Sequence, residues 1–225
     1  MAGNQYEIIA WDLDGTLSHS LPDIAASLNM TLSEEGYPLL DEARIQSYLG
    51  DGVSALVERA LSCSLSGNAD FCLEKTMLKR VTDRYRDIYA ANCTKRSRLY
   101  DGIPQILQQL SHKKQAIITN KPMLMTGRML EHYQIVSFFG IVIAGDSLPQ
   151  RKPHPEPVQL ALRHFQKKAE NMILIGDSTV DIATARNAGI AIAAVTWGYT
   201  DLETLAEAQP DFIIHKPEEL LSIFN

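Results

Sequence analysis

Nowhere in the 225 residues of this chain does an apolar run approach the roughly 18–20 positions needed to cross a bilayer. The N-terminus also lacks a charged segment followed by an apolar one and a cleavage site, so export is not expected. Cysteine is scarce. The three present, Cys63, Cys72 and Cys93, are odd in number and lack metal-ligand spacing, which fits a reduced, cytoplasmic setting. No basic face is large enough to make nucleic acid the main partner, and the net charge is −6. The densest basic segment, Lys95-Arg96-Ser97-Arg98, reads as a solvated surface turn. Internal repeats and low-complexity tracts are absent. What is there has an ordinary globular balance, 45% hydrophobic and 21% charged, and is long enough for one large core or a core plus a smaller domain.

Short apolar runs alternate with helix-period stretches from Ala116 onward. Strands are expected at Ile8–Trp11, Ala116–Thr119, Ile141–Ala144, Met172–Gly176, Ile190–Val195 and Phe212–Ile214. Helical patterns fall at Ile103–Leu110, Leu124–Tyr133, Val158–Phe165, Ile182–Asn187 and Leu202–Ala208. Such alternation predicts an α/β fold: a Rossmann-like parallel sheet flanked by helices. Between Leu17 and about Tyr89 the pattern changes to successive helical segments (Ile24–Glu35, Asp41–Tyr48, Val53–Leu61, Phe71–Tyr89) with no strand. An all-helical insert directly after the first strand reads as a second domain over the ligand-binding edge of the sheet. The expected division is 1–16 with 93–225 as the core, and 17–92 as the insert.

The ends of the strands carry the chemistry. The first empties into Asp12-Leu13-Asp14-Gly15-Thr16, and alternation puts Asp12 and Asp14 on one side. Like charges held together want a cation or a shared proton. Ala116–Ile118 ends in Thr119-Asn120-Lys121-Pro122, the loop after Ile141–Ala144 holds Lys152, and Met172–Ile175 ends in Gly176-Asp177 with Asp181 close behind. A parallel sheet places all these ends on one edge, where open α/β sheets bind ligands. Hard oxygen ligands favour Mg²⁺, a carboxylate can attack phosphorus, and a metal ion, a lysine and a hydroxyl can stabilise the transferred group. Each residue alone has a plainer reading. Thr119 could cap a helix, Lys152 could be a surface residue among prolines, and Asp177 and Asp181 could cap the following helix. Asn120 and Lys121 are weaker candidates. Four coincidences at four strand ends, in the order a metal-assisted phosphoryl site needs, favour the functional reading.

Together Asp12-Leu13-Asp14-Gly15-Thr16, Thr119, Lys152 and Gly176-Asp177…Asp181 resemble the four ordered motifs of the haloacid dehalogenase superfamily. The resemblance spans essentially the whole chain and implies that the helical insert is that superfamily's cap. It further implies Asp12 as nucleophile and Asp14 as general acid and base, with the Asp14 carbonyl lent to Mg²⁺. Thr119 would hold the phosphoryl group, aided by Gly15, Thr16 and Asn120, and Lys152 would steady it and the nucleophile. Asp177, backed by Asp181, would complete a metal site with Asp12 and Asp14. Thr119-Asn120-Lys121-Pro122, Thr196-Trp197-Gly198-Tyr199 and Gln209-Pro210-Asp211 resemble the phosphoglycolate phosphatase branch. So does Leu49-Gly50-Asp51-Gly52-Val53 with Leu56–Leu61, which is similar to that branch's cap substrate loop and adjoining helix; a simple turn before a helix explains Gly50 and Gly52 equally well. One departure is visible: His19 stands where the branch usually carries aspartate, at the expected hinge into the cap.

These readings lead to a Mg²⁺-dependent phosphatase acting on a small phosphorylated metabolite, foremost 2-phosphoglycolate, through an aspartyl-phosphate. Monomer and homodimer are both open, and neither nucleic acid nor membrane is an expected partner. Pyrophosphatase, nucleotidase and other sugar or metabolite phosphatase activities are the near alternatives. A dehalogenase is disfavoured, since carbon–halogen chemistry needs neither Asp14 nor the metal carboxylates. The distant alternative is a receiver-like phospho-acceptor, against which Asp14 and the enclosing insert both argue.

Overall fold

The computed structural model describes residues 6–69 and 72–224. It divides into two compact units, one comprising the chain up to His19 and from Arg98 onward, the other Ser20–Ser97. The first strand, β1 (Ile8–Trp11), is buried along its whole length. It leads through a loop to the two-residue β2 (Ser18–His19). The helical unit follows with α1 (Leu21–Glu34), α2 (Glu42–Gln46), α3 (Val53–Ser66) and α4 (Lys75–Asn92). The chain returns as β3 (Arg98–Leu99), then α5 (Ile103–Gln109), β4 (Lys114–Ile118), α6 (Met123–His132), β5 (Ile141–Ile143) and α7 (Glu156–Phe165). It finishes with β6 (Met172–Gly176), α8 (Thr179–Ala188), β7 (Ala191–Val195), α9 (Leu202–Glu207), β8 (Phe212–Ile214) and the short α10 (Leu221–Phe224).

Six strands form one parallel sheet in the order β5-β4-β1-β6-β7-β8. β1 lies between β4 and β6, with Trp11 in register with both Ile117 and Ile175. Their carboxyl ends therefore stop at one level, and the loops that follow begin side by side. Burial on both faces explains why these strands read as continuous apolar runs instead of alternating ones. Ile8 and Ala10 pack with Ile118, Val158, Leu174, Ile182 and Ile192 in a hydrophobic core cluster. Trp11 Nε1 donates to Gln115 Oε1 at 2.9 Å, which satisfies both polar groups inside the protein. β4 begins at Lys114, paired with Ile8, ahead of the apolar run expected from Ala116, and the bond lets Gln115 be buried there.

The segment expected to be free of strands contains one. Ser18–His19 pairs antiparallel with Arg98–Leu99, and Ser18 Oγ donates to the Arg98 carbonyl. A two-residue ribbon has no propensity signal of its own; a partner 80 residues away creates it. Arg98 thus belongs to β3 instead of to a surface turn.

Within the helical unit α1 and α4 pack along each other, as do α3 and α4. Leu28 and Leu32 of α1, Val57 and Leu61 of α3, and Val81 and Tyr85 of α4 are fully buried. α3 runs past Leu61 because Ser62, Cys63 and Ser64 are buried as well, with Ser64 Oγ donating to Pro38 O at 2.5 Å. The expected start of the fourth helix, Phe71, lies outside the described residues; the observed helix begins at Lys75. Asp23 of α1 is buried and accepts hydrogen bonds from Arg96 N, Ser97 N and Ser97 Oγ, anchoring the end of the unit to its first helix. Lys95 and Arg96 are exposed, while Ser97 is not. Among the described residues no helix is long and apolar enough to cross a membrane.

Candidate active site

Asp12 leaves β1 still within the sheet ladder, its N–H donating to Ile175 O at 2.9 Å. The turn beyond it depends on Gly15, whose φ of +85° lies in the left-handed region. A Cβ there would fall 2.2 Å from Asp177 Oδ2, so glycine is what lets the first loop close on the fourth. Thr16, fully buried, donates its hydroxyl to Asp177 Oδ1 at 2.9 Å. Trp197 Nε1 donates to Thr16 O, and Tyr199 N–H donates to Asp177 Oδ2 at 2.8 Å. Both Asp177 oxygens are thereby oriented from two sides. Gly198 permits this closeness, because a Cβ on it would lie 2.2 Å from Asp177 Cβ.

Asp181 does two jobs. Ser178 caps α8 with a reciprocal capping box, Asp181 Oδ2 accepting from Ser178 N and Oγ. The other oxygen, Oδ1, receives Lys152 Nζ at 2.5 Å. The same ammonium stands 2.7 Å from Asp12 Oδ1, an ion pair whose direction is off that of a good hydrogen bond. Lys152 is buried between two acids, and Asn120 Nδ2 holds its backbone carbonyl at 3.0 Å. Thr119 is buried and caps no helix: α6 starts at Met123, and Thr119 Oγ1 accepts from Lys121 N.

Asp14 is drawn in another direction. Both its oxygens receive Lys121 Nζ at 2.8 Å, a bidentate pair in which the lysine is buried and the acid partly exposed. The carboxylates of Asp12, Asp177 and Asp181 cluster without it, with one ligand oxygen from each lying within 4.8 Å of the others.

Electrostatics follow from burial and crowding. Burial, with Asp181 and Asp14 nearby, pushes the Asp12 carboxyl up to about 6 despite Lys152. Asp177 is raised well above the usual carboxylate range, first by burial and then by Asp181 and Asp12. Burial disfavours the Lys152 ammonium, but Asp12 and Asp181 outweigh it and raise its pKa. Crowded, buried, all-oxygen donors of one sign suit a hard divalent cation. The Tyr100 hydroxyl is pushed up by burial and by Asp177, and the His19 ring lies 5.8 Å from Tyr100 and 6.1 Å from Tyr199.

Gly50, Asp51 and Gly52 belong to the helical unit. The two glycines have φ of 109° and 83°, and Asp51 pairs with Arg59 Nη2 at 2.6 Å. Arg59 Nη1 also donates to Tyr48 O, so this one side chain braces the loop.

A haloacid dehalogenase-like hydrolase family model matches residues 9–195. The chain belongs to this family. Two relatives within it are bacterial proteins named phosphoglycolate phosphatase. The one from Vibrio parahaemolyticus is 34% identical, over 99% of this chain and 98% of its own length. The one from Vibrio cholerae is 36% identical over 96% of each. The crystal structure of a predicted phosphoglycolate phosphatase from Haemophilus somnus superposes with a TM-score of 0.92 at 31% identity, covering 98% of this chain and 99% of that one. In this chain the loop ends carry a cluster of three acids, two of which (Asp12 and Asp181) share Lys152, and a separate Lys121–Asp14 pair. Residue types alone gave Lys121 no such partner, and gave no hint of the Tyr199 N–H. The Thr196–Tyr199 segment was the available signal for the latter.

Proposed function

We propose that this hydrolase is a Mg²⁺-dependent phosphatase that converts 2-phosphoglycolate to glycolate and phosphate. The observation that carries the reading is the buried Lys152 ammonium shared by Asp12 and Asp181 beside Asp177. Full-length relatives named phosphoglycolate phosphatase support the substrate.

Asp12, Asp177 and the Asp14 carbonyl would hold Mg²⁺, with Asp181 behind them. When bound, the ion neutralises the crowded carboxylates and the negative charge on the phosphoryl oxygens. Asp12 attacks phosphorus, and the bond from phosphorus to the glycolate oxygen breaks. Asp14 gives its proton to that oxygen, so glycolate leaves and an aspartyl-phosphate remains on Asp12. Asp14 then takes a proton from water; the resulting nucleophile attacks phosphorus, freeing phosphate and regenerating Asp12. Lys152 holds Asp12 in place and offsets charge on the transferred group. Thr119, with Gly15, Thr16 and Asn120 around it, cradles the phosphoryl oxygens. The helical insert would serve as the family's cap, with Gly50-Asp51-Gly52 as its substrate loop.

The test is phosphate release with Mg²⁺ from a panel of phosphorylated metabolites, pyrophosphate and nucleotides included. The expected result is the highest kcat/KM for 2-phosphoglycolate. A different ester at the head of the panel overturns the substrate, and a long-lived phosphoprotein without turnover overturns the enzyme.

A further inference from the structure

We infer that His19 is a positioning residue: its ring packs against Tyr199 and keeps the Tyr199 N–H aimed at Asp177. The inference rests on the reading of Asp177 as a Mg²⁺ ligand given above, a mechanism in which His19 has no other part. Two donors orient the Asp177 carboxylate. Tyr199 N–H reaches Oδ2 at 2.8 Å, and the Thr16 hydroxyl reaches Oδ1 at 2.9 Å. Misdirecting either donor leaves a metal ligand less well placed.

The Tyr199 N–H follows Gly198, which approaches Asp177 so closely that a Cβ on it would lie 2.2 Å from Asp177 Cβ. Glycine is the most permissive residue in backbone conformation. The aim of the next N–H therefore depends on what holds the residues on either side. Trp197, before the glycine, is held by its Nε1, which donates to Thr16 O at 3.0 Å. Tyr199, after it, has its ring centroid 6.1 Å from that of His19. The His19 ring also lies 5.8 Å from Tyr100, and the two pairs are tilted by 46° and 48°. These are the separations of packed ring pairs. Tyr199 hydrogen-bonds Tyr100 as well, which closes the cluster.

Backbone pairing fixes two of the three rings. His19 ends the two-residue β2 and is in register with Arg98 of β3. Tyr100 directly follows β3, and its N–H donates to Leu17 O at 3.0 Å. Tyr199 comes from the loop after β7 and packs onto this pair. The β2–β3 ribbon thus sets where Tyr199 sits, and Tyr199 sets one side of Asp177. The property of His19 in use is the shape of its ring. Phenylalanine should supply that shape, and alanine should not.

The test measures Mg²⁺ affinity without substrate, from the rise in unfolding temperature as Mg²⁺ is added to chelator-treated protein. In His19→Ala the Mg²⁺ dissociation constant should rise about fivefold. That is less than the roughly ten- to hundredfold loss on removing an outer-shell partner outright, because the Tyr199 N–H remains. The Mg²⁺ concentration for half-maximal activity should rise in step, with kcat at saturating Mg²⁺ within about twofold of the wild type. His19→Phe keeps a ring and should stay within about twofold of the wild type in Mg²⁺ affinity. Tyr199→Leu removes the ring through which His19 acts. It should by itself weaken Mg²⁺ binding at least about fivefold, and adding His19→Ala to it should change little further. A lower unfolding temperature in chelator with an unchanged Mg²⁺ dissociation constant, in His19→Ala or in Tyr199→Leu, would overturn the inference, since the ring would then serve stability alone. Equal losses in His19→Phe and His19→Ala, or additive losses in the double variant, would overturn it too. Wild-type protein that binds no Mg²⁺ would overturn the metal assignment of the proposed function and the inference with it.

Discussion

Thr16 Oγ1 donates to Asp177 Oδ1 at 2.9 Å, joining residues 161 positions apart and tying the loop after β1 to the loop after β6. The threonine hydroxyl is therefore committed to the acidic cluster. Thr16→Val keeps the shape and removes the donor. Stability should fall by about 1–3 kcal/mol, because Asp177 Oδ1 is left buried without that bond. The Mg²⁺ concentration giving half-maximal activity should rise about tenfold, as for the loss of an outer-sphere partner. Thermal unfolding and a Mg²⁺ titration check the two effects.

Gly198→Ala tests the opposite side of the same carboxylate. The new Cβ would lie 2.2 Å from Asp177 Cβ, so the acid or the Gly198 backbone must shift. Circular dichroism should report an intact fold, while kcat/KM drops by at least about 100-fold through misplacement of one ligand. Activity near the wild-type level would mean that Asp177 tolerates displacement.

Asp12 links catalysis to stability. Its carboxyl is raised from 3.8 to about 6, chiefly by burial, so the folded state holds this proton more tightly than the unfolded chain. The group's contribution is therefore present at low pH and is lost as pH rises from about 4 to about 6. In chelator above pH 6, Asp12→Asn should be more stable than the wild type by about 1–3 kcal/mol. The gap should close on acidification, and Mg²⁺ should restore the wild type selectively. The same variant should lose turnover. Unfolding curves across pH, with and without Mg²⁺, decide the point.

Asp23 offers a prediction remote from the chemistry. Its buried carboxylate accepts from two backbone N–H groups and one hydroxyl at Arg96 and Ser97. Asp23→Ala orphans these donors and should cost about 2–4 kcal/mol. A urea midpoint unchanged from the wild type would show that water replaces the carboxylate without loss.

Much of the sheet was legible because buried parallel strands are short apolar runs, and Ile8–Trp11, Met172–Gly176 and Phe212–Ile214 are observed at the expected bounds. Two of the edges that differ involve polar side chains satisfied inside the protein. Gln115 in β4 pairs with Ile9 and is buried with its side chain bonded to Trp11, and Ser178 with Asp181 starts α8 earlier than the apolar pattern from Ile182 suggested. Ser18 and His19 form a strand only against Arg98 and Leu99.

The sequence by itself determined the inventory: acids, a threonine and lysines at the ends of apolar runs, in an order that implied one shared edge. Residue type and periodicity are local properties, and they suffice for that. Only the tertiary structure decided the pairing, with Lys152 on Asp12 and Asp181, Lys121 on Asp14, and Thr16 and the Tyr199 N–H on Asp177. Which cation meets which carboxylate depends on separations of a few ångströms between residues up to 161 positions apart, and parallel registry of β1, β4 and β6 is what sets them.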